Sequence, residues 1–128
     1  MTYIIQTKKD IEQASSDLEV AVKNNGFGVL HIHDLKATLN SKGIAFEQDC
    51  RVFEVCNPHK AKEVLDYDMT LNMALPCRIS IWQQGNTINI GMISPQATLA
   101  LLSQSQELSK MAAEVEATLE IIIDQAAS

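Results

Sequence analysis

At 128 residues, with 46% hydrophobic and 20% charged, the chain has the size and composition of one domain, 1–128, able to build a core without disulfide or metal staples. Its net charge of −6 and ten scattered Lys and Arg residues exclude a phosphate-tracking surface, and so argue against nucleic acid or an anionic membrane as partner. Three cysteines, Cys50, Cys56 and Cys77, are odd in number and too few for a stapled secreted scaffold. With no signal-like N-terminus and no apolar run of membrane-spanning length, they point to a cytoplasmic protein with reduced thiols.

Residues 2–7, with Tyr3, Ile4 and Ile5, read as a first strand. Asp10 is placed to cap a helix whose apolar positions, Ile11, Ala14, Leu18, Ala21 and Val22, recur at helical spacing until Asn24-Asn25-Gly26 stops it. Residues 27–33 form a second strand. Simple alternation puts Leu30 and Ile32 on one face, and Phe27, Val29, His31 and His33 on the other. A short helix capped by Asp34 follows, then a third strand over 51–56.

Asn57-Pro58 is a helix start, a capping side chain followed by Pro at the first helical position. The segment through Met69, Leu71 and Met73 has no clear period. Residues 77–83 and 87–93 form strands four and five, joined by a turn at Gly85-Asn86, and Ser94-Pro95 repeats the cap-then-Pro signal. The last element is an amphipathic helix of about five turns. Its apolar stripe of Leu108, Met111, Ala112, Val115, Leu119, Ile122 and Ile123 is expected to lie on the sheet.

The order is β-α-β(4)-α with small helical insertions: an α+β fold with a five-stranded, mainly antiparallel or mixed sheet and helices on one face. A parallel crossover between strands three and four also fits. The antiparallel form is preferred because the insertion after Cys56 is too broken for a crossover helix.

Phe53-Glu-Val-Cys-Asn-Pro58 with Ala61 and Leu65, then Ala74-Leu-Pro-Cys-Arg-Ile79, a hairpin and Ser94-Pro95 resemble domain-of-unknown-function (DUF) family three hundred and two. The resemblance runs from about Gly26 to Leu102, and Asn57-Pro58 and Leu75-Pro-Cys-Arg78 are its most specific parts. It implies a compact α+β domain of bacteria that forms dimers. It implies no activity and carries over no catalytic residue.

Four constellations bear on chemistry. Cys77-Arg78 would activate a thiolate if the guanidinium reached it, but adjacent strand residues point to opposite faces, and a packed Cys at a strand start is the preferred reading of the pair. Cys56 and Cys77 lie at the same end of the sheet if strands three and four are antiparallel; otherwise they stand about 20 Å apart. His31 and His33 share a face and suit a metal with a further ligand such as Cys56, or are polar residues on a solvated face. Trp82 shares its face with Arg78 and Ser80, where it lines a pocket or dimer contact or is an ordinary surface residue.

No phosphate loop, nucleophile elbow or zinc-protease helix is present. The sequence therefore reads as a non-catalytic cytoplasmic module that binds a small molecule or regulatory partner as a homodimer. Cys77, Arg78 and Trp82 are its candidate ligand-binding residues, and no cofactor is expected. The alternative is a thiol- or metal-dependent redox or metal-handling protein using Cys56 and Cys77 with His31 and His33.

Overall fold

The computed structural model describes Met1–Ser128. Five strands, β1 (Thr2–Thr7), β2 (Gly28–Asp34), β3 (Cys50–Cys56), β4 (Cys77–Gln84) and β5 (Thr87–Ile93), form one sheet in the order β1-β5-β4-β3-β2. Every neighbouring pair is antiparallel, so the parallel crossover between β3 and β4 is not used. Each joint from β2 to β5 links adjacent strands, while α1 (Ile11–Asn24) carries the chain from one edge of the sheet to the other. Asp10 caps this helix, accepting from the Gln13 amide at 2.8 Å.

The main core lies between the sheet and the helices α1 and α5 (Gln106–Ala127), with Leu18, Val22, Phe53, Ile81, Ile90 and Leu119 fully or nearly fully buried. Core-facing positions alternate along the central strands: Phe53 pairs with Ile79, and Ile81 with Ile90. The face away from α1 and α5 presents Ile4, Ile93, Trp82, Arg78, Ser80, Val52, Glu54 and the two histidines.

Two expectations change. In β2 the register shifts between Val29 and His31, so Val29 pairs with Val55 and Ile32 with Phe53, both on the core side. Leu30 sits at this bulge and is 61% exposed. An extra residue resets strand parity, which simple alternation cannot foresee.

The second change concerns α5. Its 22 residues span about 33 Å, longer than a seven-residue strand of about 23 Å. The N-terminal turns therefore reach past the sheet. There Leu108 and Ala112 join Val64, Leu71 and Leu99 in a separate small core. That core is supplied by α3 (Pro58–Tyr67), a 3-10 helix (Met69–Ala74) and α4 (Pro95–Ala100). Only the C-terminal part of the apolar stripe lies on the sheet. Between β2 and β3, α2 (Leu35–Ser41) is capped by Asp34 and buries no residue.

Candidate functional site

Where α5 overhangs the sheet, the two cores do not meet. A cavity of about 560 Å³ remains between them, with 16 of its 23 lining residues hydrophobic. Its floor is the end of the sheet: Val55 and Cys56 closing β3, Cys77, Arg78 and Ser80 in the first half of β4, and Met92 and Ile93 closing β5. Its roof comes from Ala61 and Val64 of α3, Ala74 and Leu75, Leu99 of α4, and Met111 and Val115 of α5. Two capped starts set the roof. Asn57 accepts from the amides of His59 and Lys60 ahead of Pro58. Ser94 accepts from the Ala97 amide ahead of Pro95 and is held by Glu116 of α5.

The polar side chains in the wall differ in how far they are committed. The Asn57 Oδ1 is occupied by its cap while its Nδ2 amide makes no hydrogen bond within the chain, and the Thr98 hydroxyl donates to the Ser94 carbonyl at 3.1 Å. Lys60 donates to Glu114 at 2.8 Å and has Glu63 at 3.8 Å. This pairing raises the Lys60 pKa and lowers that of Glu114. Arg78 is two-thirds exposed, and its one carboxylate neighbour, Glu54, stands 3.8 Å away, beyond hydrogen-bond length. Ser80, two residues on, shares its side of β4.

Cys77 and Cys56 both line the cavity, from positions next to one another across the β3–β4 ladder, where Val55 pairs with Cys77. Burial pushes the Cys77 thiol up to about 11, with a smaller contribution from Cys56. Burial raises Cys56 as well. Both are free and behave as neutral, weakly polar groups near pH 7. Arg78 faces away from the core side that holds Cys77, so it does not activate that thiol.

The remaining sequence candidates lie elsewhere. Trp82 is four residues further along β4, about 13 Å from Arg78; it pairs with Cys50 and Asn89 and takes no part in the cavity wall. His31 and His33 do come together, rings 4.5 Å apart and edge to face, with His33 Nε2 3.1 Å from Glu54 Oε2. Cys56 lies opposite Gly28 at the end of β3 and belongs to the cavity, not to this pair. No group of three or more His, Cys, Asp or Glu side chains is arranged to hold a metal ion.

A family model described as Domain of unknown function DUF302 matches residues 3–126. The chain belongs to DUF302. The family therefore extends over β1 and α5, beyond the segment recognisable from motifs. A crystal structure of an uncharacterized conserved DUF302 protein from Bacillus stearothermophilus is 29% identical, superposes with a TM-score of 0.93, and is covered over 98% of this chain and 97% of that one. No curated protein matches.

The roof residues Met111, Val115 and Leu75 were not read as site residues. Met111 and Val115 sat in plain view on the apolar stripe of α5, but their stripe position alone signals burial, not a cavity. The signal available was length: a helix longer than the strands it packs on must leave the sheet somewhere.

Proposed function

We propose that this DUF302 protein is a non-catalytic cytoplasmic binding module that takes a small molecule in the cavity at the end of its sheet and works as a homodimer. The carrying observation is the cavity itself. At about 560 Å³ and mostly apolar walls, it has the size and character of small-ligand sites, with a few polar groups left to fix orientation. Its thiols argue against chemistry as the main role, since neither is held as a thiolate near neutral pH. No helix is long and apolar enough to cross a membrane.

The dimer is supported by the uncovered sheet face, where Ile4 and Ile93 are 48% and 62% exposed. β1 is an edge strand of the sheet, and packing there across a two-fold axis covers Ile4 and Ile93 while leaving Arg78 on β4 open.

A protein-detected NMR titration with 1-octanol tests the cavity. Shifts confined to residues such as Leu75, Met111 and Val115 are expected; a probe that moves none of them overturns the binding role. Light scattering at micromolar concentration is expected to give twice the chain mass of 14.1 kDa, and the monomer mass would end the dimer reading.

A further inference from the structure

Building on the binding role of the cavity, we infer that its ligand is an amphiphile: an apolar body under α5, with one anionic head group held at the β4 rim by Arg78 and Ser80. The argument is by commitment of the wall. A ligand's polar end must find donors or acceptors that the protein has not already used, because a buried polar group left unpaired opposes binding. The Asn57 Oδ1 accepts from two local amides and the Thr98 hydroxyl donates to a backbone carbonyl, and the charge of Lys60 is met by a hydrogen bond to Glu114, with Glu63 beyond hydrogen-bond length at 3.8 Å. The two thiols are weak partners.

The wall's cation without a hydrogen-bonded carboxylate is Arg78, and the Ser80 hydroxyl stands at the alternate position of the same strand; the neutral Asn57 Nδ2 amide is the other uncommitted donor. Glu54 at 3.8 Å steadies the guanidinium without occupying its N–H groups. A planar guanidinium with free donors matches a carboxylate, sulfonate or phosphate head bidentately. The rest of the wall, from Leu75 to Met111 and Val115, offers dispersion and water exclusion only. In a chain of net charge −6, a cation with no hydrogen-bonded carboxylate at the mouth of an apolar cavity selects the head group by sign. The wall provides no second free charge for a zwitterion or a dianion of extended shape.

The test compares three probes of equal chain length, decanoate, 1-decanol and decylamine, by isothermal titration at pH 7.5 and low salt. Decanoate is expected to bind about tenfold or more tighter than 1-decanol, and decylamine to bind most weakly, as charge-assisted hydrogen bonding requires. Arg78→Gln should erase the advantage of decanoate and leave 1-decanol unchanged. Arg78→Lys should restore part of it, since charge returns without the fork. Arg78 is two-thirds exposed, so these variants keep the fold, and an unchanged far-UV spectrum and melting temperature check this. Equal affinity of decanoate and 1-decanol, or an advantage that survives Arg78→Gln, overturns the head-group assignment while leaving the cavity's binding role intact. Failure of all three probes overturns both.

Discussion

Along α5, the turns around Leu119, Ile122 and Ile123 and the turns around Leu108, Met111 and Val115 meet different neighbours. The first set is pressed onto five strands and α1, and all three side chains are wholly buried. The second set runs off the sheet: Leu108 belongs to a small core of five residues, Met111 packs on that core, Val115 still touches the main one, and Met111 and Val115 border a cavity. One helix thus carries a closed seam and an open one. Close packing gives the closed seam its share of stability. The open seam gives up that packing and gains room for a ligand.

Two substitutions test the contrast at its strongest. Leu119→Ala empties a fully buried site and should cost about 2–5 kcal/mol in urea or thermal unfolding. Val115→Ala removes a side chain that already borders open space and should cost less than half as much; equal losses would mean that the cavity wall is packed as tightly as the core. Gly91→Ala probes the closed region from its other side. An added Cβ meets the Tyr3 carbonyl oxygen at 2.9 Å and Ile4 Cγ1 at 2.9 Å. Backbone cannot swing aside as a side-chain end can, so β1 must shift, at about 1–3 kcal/mol. A variant as stable as the parent would show that the β1–β5 contact is looser than described.

Legibility in the sequence followed the same division. The closed region announced itself, because alternation in β4 and β5 and the stripe through Leu119 and Ile123 are direct consequences of packing on one face. Capping residues such as Asp10, Asn57 and Ser94 marked helix starts by local chemistry, which does not depend on the rest of the fold. The site was half legible. Cys77 and Arg78 were singled out, and antiparallel pairing does bring Cys56 to the same end of the sheet. Trp82 was grouped with Arg78 by strand parity, which places a residue on a face but says nothing of its distance along the strand. The cavity depends on an overhang, a difference between the length of a helix and the depth of a sheet, and no local pattern encodes that difference. The bulge at Leu30 was hidden for a similar reason: only its partner strand reveals an unpaired residue.

The thiol at the boundary between the two regions gives a smaller, pH-dependent effect. Cys77 is raised from 9.0 to about 11 by burial first and by Cys56 second. The folded state keeps a proton that the unfolded state has begun to lose, so this stabilising contribution is complete below pH 9 and disappears as pH rises through 11. Stability of the wild type should therefore fall over pH 9–11 more than that of Cys77→Ala, by less than about 2 kcal/mol once partial solvent access is discounted. Identical pH profiles would mean that water fills the floor of the cavity and that the thiol titrates as in solution.

The smallest effect expected is also the most local. Asn57 caps α3 by accepting from the amides of His59 and Lys60, and α3 supplies part of the roof and Val64 of the small core. Asn57→Ala leaves those two amides without their cap, at a cost of about 1 kcal/mol. If the small core and the sheet core were one cooperative unit, that loss would lower protection equally everywhere. The two cores share only α5, however, and the cavity separates them on the side of α3. Opening of the roof is therefore expected to need less free energy than global unfolding. Hydrogen exchange under native conditions should show the amides of α3 exchanging several-fold faster in Asn57→Ala, while those of β3 and β4 keep their rates. Acceleration shared by β4 would join the two regions into one unit, and would make any ligand that orders the roof a stabiliser of the whole domain.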